Sequence, residues 1–119
     1  MKRSAHIDLP GDHRQAVLSI LATHLPHGSV AWVFGSRATG RARPLSDLDL
    51  AADAGRRLTL DEIAQLVEAF TESDLPYKVD VVDWHGIDER FRQTIMAQRQ
   101  ELGGFARDGV RRGVTKQSR

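Results

Sequence analysis

Val30-Ala31-Trp32-Val33-Phe34-Gly35-Ser36, ten further residues, and then Asp47-Leu48-Asp49-Leu50-Ala51-Ala52 form the stretch on which the fold of this chain turns. The first five residues are an unbroken apolar run rich in strand formers, which predicts a strand buried on both faces and therefore inside a sheet. Residues 35 to 46 carry two glycines, a proline and three arginines with no periodicity, and read as a loop. From Asp47 the pattern alternates with period two, so a strand over 47–52 sets both carboxylates on one face and both leucines on the other.

Working outward, Asp12 with Gln15 three residues later resembles a helix start, and Val17, Leu18, Ile20, Leu21 and Leu25 recur at helical spacing; a helix is expected over 12–24. Thr59 and Glu62 have capping-box spacing ahead of Leu60, Ile63, Ala64, Val67 and Phe70, which predicts a helix over about 60–72. Tyr77-Lys78-Val79-Asp80-Val81-Val82 reads as a third strand. Ile87, Phe91 and Ile95 mark a helix over about 87–101, ended by Gly103-Gly104. The expected architecture is α/β in the α+β sense, a small mixed β-sheet flanked by helices.

Composition agrees with one globular domain. Of 119 residues, 30 are Leu, Ile, Val or Phe, enough to bury a core, and 17 basic against 16 acidic residues give a formal charge of +1. Near-neutrality removes any global electrostatic case for nucleic acid, so direct nucleic-acid binding is not expected. With no cysteine there are no disulfides, thiolate metal sites or thiol nucleophiles. No apolar run suits a signal peptide or a membrane span, and the expectation is a cytoplasmic protein. Six basic and two acidic residues between Arg99 and Arg119 set a basic end apart, so a domain over 1–102 and a basic tail over 103–119 are expected.

The chemistry lies at the junction. A glycine lets backbone approach a phosphate closely, and neighbouring amides with a serine hydroxyl can donate to phosphate oxygens, which makes Gly35 and Ser36 candidates for a triphosphate cradle. Arg37, next in line, is a candidate to neutralise triphosphate charge, while Arg41 and Arg43 read as solvated. Asp47 and Asp49 at i and i+2 can share a hard cation, and Mg²⁺ typically takes one or two carboxylates plus phosphate oxygens. Asp80, inside an apolar strand, is a third carboxylate; if its strand lies beside Asp47 and Asp49, the three can hold two Mg²⁺ ions and support in-line displacement at an α-phosphorus. Asp80 is then the natural acceptor for the proton of the attacking hydroxyl.

Each element has a plain alternative. An isolated Asp-x-Asp is commonly a cap or surface pair, a Gly-Ser an ordinary turn, and a lone strand Asp an edge residue; it is the combination that points to nucleotidyl transfer. The five histidines lack zinc-ligand spacing and are given no catalytic role. Trp32 and Phe34 read as core, as do Ile87, Phe91, Ile95 and Met96, although that last helix could also offer a docking face.

Gly35-Ser36-x10-Asp47-x-Asp49 with Asp80 behind it resembles the signature of the minimal nucleotidyltransferases, the MNT family of the DNA polymerase beta superfamily. Phe34-Gly35-Ser36-Arg37-Ala38-Thr39-Gly40 and Ser46-Asp47-Leu48-Asp49-Leu50 look like that family throughout, and the resemblance covers about residues 12 to 100. It implies the nucleotidyltransferase fold, with Gly35 and Ser36 on the triphosphate, Asp47 and Asp49 on the metals, and Asp80 as the third carboxylate. It also implies a partner. Members of this size are often encoded beside a HEPN-domain toxin and act as its antitoxin, transferring AMP from ATP to a tyrosine of that ribonuclease. Two other readings remain open on the residues: an antitoxin that neutralises by binding alone, and nucleotidyl transfer to a small molecule such as an aminoglycoside or to an RNA end.

Overall fold

The computed structural model describes residues 7–102, so the basic tail expected over 103–119 lies outside the described residues. Helix α1 (Gly11–His24) leads into β1 (Val30–Phe34), a one-turn helix α2 (Ser36–Thr39), β2 (Leu48–Asp53), α3 (Leu60–Thr71) and β3 (Val79–Asp83). A 3-10 turn over Trp84–Gly86, helix α4 (Glu89–Gln98) and a two-residue strand β4 (Gln100–Glu101) complete it. The strands form one mixed sheet in the order β3-β2-β1-β4, with β2 antiparallel to β1 and parallel to β3.

The alternation of side chains sorts the core into two layers. Ala31, Val33, Leu48, Leu50 and Ala52 point to one face, where they pack with Val17 and Leu21 of α1 and Leu66 and Phe70 of α3. Ala51, Phe34 and Trp32 point to the other and meet Ile95 and Phe91 of α4, Trp84 and Val82. Leu48, Leu50, Val33 and Leu21 are fully buried, each such side chain contributing about 1.5–3 kcal/mol relative to exposure. Phe34 meets Phe91 edge-on at 5.9 Å and Trp32 meets Trp84 at 5.1 Å, an arrangement the aromatic quadrupole favours.

Local signals account for most element ends. The Thr59 hydroxyl accepts from the Glu62 amide at 3.0 Å, and Glu62 Oε1 accepts from the Thr59 amide at 2.8 Å, the reciprocal box that opens α3. Arg56 holds Glu62 by two 2.9 Å bonds; this hydrogen bonding, with the Thr59 amide, lowers the Glu62 carboxyl to about 2. Asp88 caps α4 by accepting from the Phe91 amide at 2.8 Å.

Several boundaries differ from the expectations; β3, expected from Tyr77 to Val82, runs from Val79 to Asp83. α1 begins at Gly11 with Pro10 in the cap position and no side-chain cap, so Asp12 lies in the first turn, where its charge faces the positive helix end. The loop over 35–46 contains α2, closed by Ala38 N–H donating to the Gly35 carbonyl at 3.0 Å. β2 begins at Leu48, leaving Asp47 one residue ahead of the strand. The helix expected over 87–101 is broken: α4 ends at Gln98 and the chain straightens to pair with β1, Glu101 opposite Trp32. Leu102, fully buried, then donates its amide to Ala31 at 2.9 Å, and burying that side chain in the first layer is what ends the helix. Among the described residues no helix is long and apolar enough to cross a membrane.

Candidate functional site

The second face of the sheet carries an apolar cluster around Ala51 and an acidic group at the end where β2 begins. Parallel pairing of β2 with β3 sets Asp49 directly beside Asp80 and Ala51 beside Val82, so the two carboxylates share the face and rank that Phe34 occupies on β1. Asp47 is two residues ahead of Asp49, exposed, and fixed by Leu48 N–H donating to the Lys78 carbonyl at 2.9 Å. Hence the topology brings Asp47, Asp49 and Asp80 to one edge of one face.

Electrostatics records the crowding. Burial first, then the Asp80 charge, then the Asp47 charge push the Asp49 carboxyl above its ordinary value. Lys78 Nζ lies 3.4 Å from Asp80 Oδ1, but both groups are well exposed and the pair offsets little of the repulsion. Among the described residues no three His, Cys, Asp or Glu side chains converge into a ready metal cage. Mg²⁺ does not require such a cage, since it typically takes one or two carboxylates together with waters and substrate phosphate oxygens. Asp47, Asp49 and Asp80 are the residues that could hold it. Asp80 also borders a concavity of about 360 Å³ between α3 and β3, lined in part by Phe70, Leu75 and Tyr77.

Gly35 sits against this cluster. Its φ of 75° lies in the region that side chains other than glycine rarely adopt, and a Cβ there would overlap the Asp49 carboxylate. Both constraints require glycine, and they bring the turn between β1 and α2 onto the acid. Ser36 follows as the first residue of α2. The Gly35 amide donates to Gln98 Oε1 at 2.9 Å, which ties the last turn of α4 to the turn between β1 and α2. Sequence reasoning missed Gln98, since a single polar residue in the last turn of a helix carries no pattern.

Arg37 is placed differently from the expectation. Expected as a neutraliser of triphosphate charge, it is 2% exposed and all three guanidinium nitrogens donate to backbone carbonyls. Nε and Nη2 donate to the Ser46 carbonyl at 3.1 and 2.9 Å, Nη2 also to Pro44 at 3.0 Å, and Nη1 to Asp8 at 3.0 Å. The guanidinium lies 4.0 Å above the Tyr77 ring. The physical reason is the folding-back of 41–46, which aims its carbonyls inward and leaves the neighbouring arginine as the one long donor able to satisfy them. Arg41 and Arg43 are exposed.

Residues elsewhere on the second face form structure. Ile95 is fully buried and Phe91 packs beside it, so α4 spends its apolar side on the core, with Met96 about half exposed. Arg99 stacks 4.3 Å over Trp32. At the opposite end of β2, His85 Nε2 lies 2.7 Å from Asp53 Oδ1, away from the acidic cluster.

Residues 16–104 match the family model described as Polymerase beta, Nucleotidyltransferase. The chain is 41% identical over 95 residues to a Haemophilus influenzae protein named "Probable protein adenylyltransferase MntA", spanning 80% of this chain and 82% of that one. A solved toxin–antitoxin structure with AMP-PNP matches with a TM-score of 0.66 at 23% identity, over 84% of this chain and 86% of the other. A Shewanella oneidensis complex of tri-AMPylated HEPN toxin with MNT antitoxin matches with a TM-score of 0.61 at 21% identity, over 84% and 82% of the two chains. At those identities the solved structures bear on the fold.

Proposed function

Because this chain belongs to the polymerase beta nucleotidyltransferase family, we propose that it is a Mg²⁺-dependent adenylyltransferase that moves AMP from ATP to a tyrosine hydroxyl of a cognate HEPN-domain toxin, and so acts as that toxin's antitoxin. The observation that carries this reading is the Asp49–Asp80 register, with Asp47 beside it and Gly35 packed on Asp49. The protein acceptor is favoured by the identity to a named protein adenylyltransferase. A site on an open sheet face, with Asp47 exposed, also suits an acceptor that arrives on another molecule.

Bound Mg²⁺ supplies neutralisation of the triphosphate and of charge developing on the leaving group. In this reading the Ser36 hydroxyl and the amides at the start of α2 donate to phosphate oxygens. Asp80 takes the proton of the acceptor hydroxyl. A bond forms from that oxygen to the α-phosphorus as the bond to the bridging oxygen breaks, and pyrophosphate leaves with the electron pair.

The test is transfer from α-labelled ATP into the co-purified partner with Mg²⁺, wild type against the Asp47→Asn, Asp49→Asn double variant. Label on a partner tyrosine with wild type alone is the expected outcome. A complex that neutralises the toxin without labelling it would overturn the enzymatic reading in favour of binding, and label appearing only on small acceptors would overturn the toxin as substrate. Ser36→Ala should raise KM for ATP about tenfold through lost phosphate hydrogen bonds; an unchanged KM removes Ser36 from the site.

A further inference from the structure

Arg37 occupies a position that packing alone does not explain. Among the described residues it has no carboxylate within ion-pair distance, yet it is a buried cation, which is costly unless its donors are satisfied. A long apolar side chain could fill the same volume but would leave the Asp8, Pro44 and Ser46 carbonyls without these donors. What only a guanidinium supplies is a planar fork that bonds several carbonyls in fixed directions. Here the fork reaches Asp8, Pro44 and Ser46, while its face lies on Tyr77.

The segments it joins share one property: two of them lead directly into the acidic strands. Ser46, held by two donors, immediately precedes Asp47 and stands three residues before Asp49. Tyr77 stands three residues before Asp80, and the Lys78 carbonyl between them receives the Leu48 amide. The turn itself is closed by Arg43 N–H donating to Ser46 Oγ at 2.8 Å and Ser46 N–H donating to the Arg43 carbonyl at 3.0 Å. Arg37 in turn is fixed from behind, since its own carbonyl accepts from the Asp8 amide at 2.8 Å while Nη1 donates to the Asp8 carbonyl.

We propose that Arg37 is a positioning residue for nucleotidyl transfer: it clamps the lead-in to β2 against the lead-in to β3 and thereby sets the spacing between Asp47 and Asp49 on one side and Asp80 on the other. The role rests on the transferase reading above. It acts through the carboxylates and touches neither nucleotide nor acceptor.

The test compares wild type with Arg37→Lys and Arg37→Gln, each checked for folding by circular dichroism. Mn²⁺ binding to the protein with AMP-PNP is followed by electron paramagnetic resonance, and amide deuterium exchange is read over residues 43–50. Mn²⁺ affinity should fall about 10–100-fold, as supporting residues of metal sites typically show. Exchange over 43–50 should quicken, kcat should fall in parallel, and KM for ATP at saturating metal should stay within about twofold. Lysine should not rescue, because its three donors cannot copy the fork. If both Arg37 variants unfold, Tyr77→Leu, which removes the stacking face and leaves the carbonyl bonds, should give the same pattern with about a threefold loss of Mn²⁺ affinity. Wild-type metal affinity and kcat in a folded Arg37 variant, or in folded Tyr77→Leu where that variant is needed, would overturn the proposal. A raised KM for ATP with unchanged kcat would overturn it as well, by making Arg37 a phosphate ligand. Should the wild-type protein transfer no AMP, Mn²⁺ affinity and exchange still decide the clamp, and the failure then belongs to the transferase reading alone.

Discussion

The two faces of the sheet are made from the same strands and do opposite work. On the face beneath α1 and α3, β2 presents Leu48, Leu50 and Ala52, all fully buried. On the other it presents Asp49, Ala51 and Asp53, of which only Ala51 is buried. Stability is concentrated on the first face. On the second, hydrophobic cover stops at Phe34 and Phe91, and beyond it a half-buried carboxylate is held beside two others at an electrostatic cost. One strand can serve both roles because consecutive residues never share a face.

The contrast can be broken from either side. The largest effect is expected from Asp49→Asn on the second face: transfer of labelled AMP should fall by about a thousandfold, several kcal/mol of transition-state stabilisation, while the melting temperature stays level or rises. A lowered melting temperature would show that the acid also supports the fold. On the first face, Leu50→Ala should cost about 2–5 kcal/mol in denaturant unfolding, with transfer per folded molecule largely kept. Between the faces, Gly35→Ala should cost about 1–3 kcal/mol from its φ and should depress transfer further than that loss explains, because the new Cβ meets Asp49. Thr59→Ala, far from the acids, should cost about 1 kcal/mol by opening the α3 box and leave transfer unchanged.

A pH series sharpens the same comparison. Asp49 titrates above its ordinary value in the fold, so relative to a neutral side chain it costs no stability at pH values below the unfolded carboxylate pKa. The cost develops as pH rises from the unfolded carboxylate pKa and is complete once pH passes the raised folded pKa. Stability of Asp49→Asn relative to wild type should therefore climb across that window and then level off. A flat difference in chemical denaturation curves from pH 3 to 7 would contradict the burial of Asp49 beside the other two acids.

Where burial follows sequence period, the sequence was legible. The apolar run at 30–34, the alternation from 47 onward and the Thr59–Glu62 pair each depend on neighbours close in the chain, and β1, β2 and α3 formed there with ends shifted by a residue at most. What could not be read depends on distant backbone. β4 is two polar residues whose only reason to be extended is the open edge of β1 and the pocket waiting for Leu102. Arg37 in a glycine- and arginine-rich loop has the composition of a solvated or anion-binding residue; its carbonyl partners exist only after 41–46 has folded back. At the site, the acidic residue types stand out in sequence, but the side-by-side register of Asp49 and Asp80 is a property of the parallel pairing.

The β1–β4 pairing also bears on the order in which the molecule assembles. Trp32 meets Glu101 across a separation of roughly 70 residues, whereas Phe34 meets Asp49 across about 15, and closing the longer loop costs more chain entropy before any contact rewards it. Loop closure thus favours β1 with β2 as the early pair and leaves β4, with the end of α4 behind it, to close last. During synthesis, the Gly35 turn beside Asp49 would lack its Gln98 partner until the end of α4 had emerged.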